Sequence, residues 1–137
     1  MTLSPENAAP LLTDEDVLAR VDAIVGPARQ DGCVWLMLVD GDRRQAPVVV
    51  PLEDTPRRPD PHLVQGLRDV LAHFADGPLD TAGGRGSCLF VLERLGPPGV
   101  RADDEEWADA LGGAAVDAGL DTLGVYSSTP TGIRRLR

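Results

Sequence analysis

The residues of this chain that could do chemistry are few and scattered. His62 and His73 are its two histidines, and both fall in one helical pattern. Eleven residues apart, they nearly share a face. At the helical rise they stand about 16 Å apart along the axis, too far to share one ion held by bonds of about 2 Å. Each reads as a surface or helix-starting histidine. Cys33 and Cys88 lie inside the apolar runs CVWLMLV and CLFVL, where a thiol behaves as a small buried hydrophobe, so reduced thiols are expected rather than a disulfide. Ser87, Ser127 and Ser128 could act as nucleophiles only beside a positioned base, and no G-x-S-x-G elbow presents them. The glycine-rich GGRGS at 83–87 precedes a strand, whereas a phosphate cradle opens a helix, and no lysine exists to reach a phosphate. It is expected to be a flexible connecting loop. No catalytic residue, metal ligand or cofactor is therefore assigned.

The charged residues carry the remaining candidates. The run Asp103-Asp104-Glu105-Glu106 could hold a hard cation or supply an acid and a base. Carboxylates in a helix's first turn are also what the helix dipole favours. Glu93 and Arg94 precede this run across a Gly/Pro-rich turn. Glu93, Arg94, Asp103 and Glu106 are thus the candidate ligand- or partner-binding residues. Arginines cluster at Arg57-Arg58 and at Arg134, Arg135 and Arg137, without aromatic neighbours on which bases could stack. They are expected on solvated surface or paired with acids, and an anionic peptide is the partner that the second cluster would suit.

Twenty-two acids against 13 basic residues give a net charge of −9. Such a field repels phosphate backbones, which argues against a nucleic-acid partner. All the basic residues are arginine, and with the abundance of Ala, Gly, Val and Asp the expected source is a GC-rich genome, such as an actinobacterial one. No basic-then-apolar leader opens the sequence and no apolar stretch approaches the roughly 18 residues that span a bilayer. The expected compartment is the cytoplasm, with no membrane partner.

The elements that must position these side chains follow from the pattern. A chain of 137 residues makes one domain, burying about 68% of its unfolded surface. Residues 1–12 read as a loose N-terminal arm before a domain over 13–137. Thr13 caps a first helix with Asp14, Glu15 and Asp16 in its opening turn, and Val17, Leu18, Val21, Ile24 and Val25 form its buried face. Gly26-Pro27 ends it. CVWLMLV and QAPVVVPL read as two strands joined at Asp40-Gly41-Asp42, the first covered on both faces, the second at an edge because Pro47 and Pro51 cannot donate to a ladder. Asp60-Pro61 starts a second helix with Leu63, Leu67, Val70, Leu71 and Phe74 inward. The central strand is expected at 88–92. A third helix buries Trp107, Leu111, Ala114, Ala115 and Ala118 and ends at Gly119, with Gly112-Gly113 marking a close approach to the sheet. DTLGVYS, a turn at 129–132 and GIRRL finish the chain. The order α-β-β-α-β-α-β-β predicts an α/β fold, a mixed β-sheet flanked by helices.

From about Cys88 onward this layout resembles the JAB/MPN metallopeptidase-like fold in its RadC-like form: a buried strand CLFVLE, the turn RLGPPGVR, the acid-started helix DDEEWADALGGAAVDAGL, then TLGVYS and GIRRL. The earlier elements fit the same order, so the match could cover 13–137. The resemblance implies a zinc site built from His-x-His-Pro in the turn and Ser-x-x-Asp at the helix start, with an upstream glutamate acting on the zinc-bound water. This chain departs from that pattern. No histidine follows His73, and the turn reads Glu93-Arg94-Leu95-Gly96 where the metal pair should lie. Only Asp103 and Glu106 echo the spaced serine and aspartate. The resemblance then implies a metal-free, inactive relative.

Three functional expectations result. The first is a non-catalytic binding or protein-interaction module, with an unknown protein or small molecule as partner. The second is an enzyme of unrecognised type, using acidic residues near the 93–106 turn. The third is an oligomer-forming structural protein whose edge strands pair between copies.

Overall fold

A computed structural model describes residues 9–137. Its elements are α1 (Asp14–Ile24), β1 (Cys33–Val39), β2 (Gln45–Leu52), α2 (Pro61–Asp76), β3 (Ser87–Glu93), α3 (Ala102–Ala118), β4 (Asp121–Thr129) and β5 (Gly132–Arg135). The order is the α-β-β-α-β-α-β-β of the sequence reading. The five strands form one sheet in the order β2-β1-β3-β4-β5. Only β3 and β4 are parallel, because α3 carries the chain back between them, while β1–β2, β1–β3 and β4–β5 are antiparallel.

β3 lies at the centre, and all seven of its residues are buried. Successive side chains point to opposite faces, so β3 divides between two cores. Cys88, Phe90 and Leu92 join Leu67 and Leu71 of α2 and Trp107, Leu111 and Ala115 of α3. Leu89 and Val91 join Val17 and Val21 of α1, Met37 of β1 and Tyr126 of β4. This two-sided burial is why β1 and β3 read as unbroken apolar runs. β2, which holds Pro47 and Pro51, is an edge strand as expected.

The local signals act through specific atoms. Thr13 Oγ1 accepts from the Asp16 amide at 3.1 Å while the Asp16 carboxylate accepts from the Thr13 amide at 3.1 Å, a reciprocal cap. Asp60 accepts from the His62 amide with Pro61 in the first turn. Gly119 closes α3 at φ +87. The loop after α2 is docked: Gly41 donates to the Asp80 carbonyl, Asp80 donates to the Asp40 carboxylate, and a Cβ on Gly41 would lie 2.0 Å from the Gly84 carbonyl oxygen. Glycine is the residue that allows that contact.

Four expectations about faces and ends change. Leu18 is exposed, and Arg20 is buried in its stead, donating to Gln45 and to the Ala9 carbonyl. α1 reaches the sheet through a narrow seam of Val17, Val21 and Val25, and Leu18 falls on its flank. Val70 is exposed, and Val64, nearly two turns earlier, packs inward. A Cβ added at Gly112 or Gly113 would meet nothing within 4 Å, so the pair does not mark a close approach to the sheet. Leu11 is buried and exchanges hydrogen bonds with Arg43, so the segment read as a loose arm is docked at residues 9–12. Its residues 1–8 lie outside the described residues.

Candidate functional site

β3 ends at Glu93, and the chain turns through residues 94–101 into α3. The candidate residues of this turn separate at once, because Glu93 and Arg94 leave the sheet on opposite faces. On the α1 side the Glu93 carboxylate accepts from the Arg29 amide at 2.8 Å, from Gln30 Nε2 at 3.0 Å and from Trp35 Nε1 at 2.9 Å. Burial pushes its pKa up, but those donors favour the anion more strongly, and the carboxyl is held below the usual glutamate value. Glu93 is thus a clamp that ties the α1–β1 loop to the end of the central strand.

On the α3 side Arg94 points at the helix start. Its Nε lies 3.0 Å from Asp104 Oδ1 and its Nη2 lies 2.9 Å from Asp104 Oδ2. Nη1 donates to the Pro97 carbonyl and Nη2 also to the Gly99 carbonyl. Asp104 in turn accepts from the Arg101 amide at 2.9 Å, capping α3. Both side chains are buried, Arg94 at 5% and Asp104 at 3% exposure. One guanidinium therefore fixes the turn's carbonyls and the first turn of the helix together.

Asp103 is buried too, and lies 2.9 Å from Arg57 Nε and 3.2 Å from Arg101 Nη2. Burial raises its pKa. The Arg57 hydrogen bond, its own amide and the two arginine charges more than offset this and hold it low. Glu106 is exposed and bonded to Arg58 at 3.2 Å. Arg57 and Arg58 are thus paired with acids, as expected of that cluster.

Beyond the end of β3 these residues frame a cleft of about 160 Å³. Its floor is apolar, from Cys33, Val34, Leu92 and Trp107, and its rim carries Asp31 and Arg57. Glu93, Arg94, Arg101 and Asp104 also reach it, while Asp103 and Glu106 do not. Of the four candidates, the structure brings Glu93 and Arg94 to one cleft and sets the other two beside it. Sequence reasoning placed Asp104 only within the acid run and Trp107 only in the core, and gave neither to the site; Trp107 Nε1 donates to the Arg57 carbonyl at 3.0 Å. The signal for Asp104 was its place three residues after Arg101, where a carboxylate reaches back to cap the helix.

The cleft's thiol is not poised for attack. Burial, then Glu93 and Glu53, push the Cys33 pKa up to about 11, and burial and Asp121 push Cys88 to about 12. Both remain protonated near neutrality. His62 and His73 are exposed on α2. Among the described residues no group of three or more His, Cys, Asp or Glu could hold a metal ion. The zinc that the JAB/MPN resemblance would bring does not fit here: Glu93 turns to the α1 side and the Arg94 cation occupies Asp104. No helix among the described residues is long and apolar enough to cross a membrane.

No protein-family model matches the chain, and no curated protein and no solved structure matches it significantly either.

Proposed function

We propose that this domain is a non-catalytic binding or protein-interaction module whose binding face is the cleft beyond β3. The observation that carries this reading is the commitment of its buried carboxylates. Glu93 receives three donors, Asp104 is held by Arg94, and Asp103 by Arg57 and Arg101. A general base must keep a lone pair within reach of the proton it takes, and these groups spend theirs on the fold. The cleft is small beside the roughly 300–1,000 Å³ of a drug-sized ligand site. An apolar floor under a charged rim suits one side chain of a partner, or a small apolar group with a polar head. Under the JAB/MPN resemblance the domain is an inactive relative in which an arginine–aspartate pair takes over the cross-link between turn and helix.

The test uses Trp107 as reporter, since its indole lines the cleft. A fragment library is titrated into the full chain and followed by the Trp107 indole N–H resonance. The expected result is a set of fragments that shift this signal and the amides of Asp31 and Leu95, without turnover of ester, phosphoester, peptide or glycoside substrates. Turnover that survives purification and disappears in folded E93Q or D104N protein overturns the reading. So does one zinc ion per chain in freshly purified protein.

A further inference from the structure

A second recess opens on the α3 side of the sheet, where β4 runs past the start of α3. It has a volume of about 190 Å³ and is lined by Pro98 and Gly99 of the turn after β3, by Ser127, Thr129, Thr131 and Gly132, and by Ile133 and Arg134 of β5. Alternation places Ser127 and Thr129 on the same face as Val125. Val125 enters the apolar core under α3, whereas the next two positions on that face carry hydroxyls. Arg134 is the register partner of Ser127 across β4 and β5, so its side chain rises beside that serine.

Three features distinguish this recess. Ser127 is 1% exposed and lines the recess. Thr129 Oγ1 and Thr131 Oγ1 lie 3.1 Å apart. One donates to the other, which leaves the second hydroxyl proton free to point at a ligand. Arg134 makes no side-chain hydrogen bond or ion pair among the described residues, in a chain of net charge −9. Its neighbours are engaged: Arg135 lies 2.6 Å from Asp14 and Arg137 2.6 Å from Asp109. No carboxylate lines the recess.

We infer that this recess is a binding site for a phosphate group, distinct from the cleft beyond β3. The site offers a guanidinium, which donates in a two-pronged fork, and hydroxyl protons from Ser127 and the Thr129–Thr131 pair. It has no acid to repel an anion. Donors spread over both strands and the hairpin match a tetrahedral group with several terminal oxygens better than a planar carboxylate with two. The volume equals several water molecules at about 30 Å³ each, which admits a phosphate and excludes a bulky group at its floor.

The experiment is a titration of the full chain with inorganic phosphate, followed by backbone amide resonances, at constant ionic strength set with chloride. Saturable shifts are expected at Gly99, Ser127, Thr131, Gly132 and Arg134. R134Q should weaken binding about tenfold or more, the worth of a charge-assisted hydrogen bond. R135Q removes the same charge one residue away and should leave the affinity nearly unchanged. S127A, which tests the buried hydroxyl without a change of charge, should weaken binding to a lesser degree. Methyl phosphate is run in parallel: tighter binding than inorganic phosphate identifies an esterified group as the ligand, weaker binding a free ion. The inference is overturned by shifts that do not saturate, by equal loss in R134Q and R135Q, or by acetate binding more tightly than phosphate.

Discussion

Arg94 Nη2 meets Asp104 Oδ2 at 2.9 Å with both side chains almost wholly withdrawn from water. The pair joins the end of the central strand to the first turn of α3, and the same guanidinium holds the carbonyls of Pro97 and Gly99. Removing one partner of a buried pair strands the other's charge, at a cost of about 3–5 kcal/mol. R94M and D104L are each expected to destabilise the domain by about that amount. The double variant should recover much of the loss, because it leaves no unpaired charge. Urea unfolding of the three proteins checks the cycle, and additive single losses would show that the two groups act independently.

Glu93 gives the fold an acid limit. Its folded pKa is lowered despite burial, because the Arg29 amide, Trp35 and Gln30 donate to the anion. A depressed carboxyl contributes stability that is complete above its unfolded pKa and is lost as pH falls through the folded value. Asp103 is held low as well and adds to the same loss. In E93Q, one of the three donors must face an amide nitrogen, and a loss of about 1–3 kcal/mol is expected at neutral pH. The gap between wild type and E93Q should narrow as pH is lowered through the carboxylate range, because only the wild-type side chain titrates. Unfolding curves at a series of pH values measure this, and a constant gap would place the destabilisation in packing.

How far these features were legible differs by kind. Signals confined to a few neighbouring residues read correctly: the Thr13 cap, Asp60-Pro61, the Gly119 terminator, the prolines of β2 and the all-apolar runs of β1 and β3. Each depends on local backbone chemistry or on the sheet being covered on both faces. Helix faces read less well, because the width of a buried stripe depends on how the helix meets its neighbours. Leu18 and Val70 fit the period yet fall outside the seam that α1 and α2 each bury. The site was legible only as a region. Glu93 and Arg94 sit side by side in the sequence, but strand alternation sends them to opposite faces, where Glu93 finds donors from the distant Arg29, Gln30 and Trp35 and Arg94 finds acceptors in the turn and helix start that follow it. The hydroxyl recess read as plain strand, since what makes it a recess is that Ser127 and Thr129 continue the β4 face beyond its apolar core.

Gly112 and Gly113 cost α3 conformational entropy without gaining a packing contact. Nothing lies within 4 Å of a Cβ at either position. G112A and G113A should each raise stability by about 0.5–1 kcal/mol, the helix-propensity difference between the two residues. Thermal melts decide the matter, and a loss of stability in either variant would mean that the open space is needed by the folded chain itself.

Tyr126 is the remaining strained choice. Its ring is 1% exposed in the core under α1, and its hydroxyl has no hydrogen-bond partner among the described residues. Burial pushes its pKa up; the Arg135 charge opposes this and Asp14 adds to it, so the neutral phenol persists well into the alkaline range. On the same strand, a Cβ added at Gly124 would come 3.0 Å from the ring edge and 3.3 Å from the hydroxyl. Y126F keeps the ring and removes the orphan oxygen, so it is expected to be neutral or to stabilise by up to about 1 kcal/mol. G124A should destabilise, both through that contact and through its φ of +129. If Y126F instead destabilises the domain by more than about 1 kcal/mol, the hydroxyl has a hydrogen-bond partner, such as an ordered water, that offsets its burial.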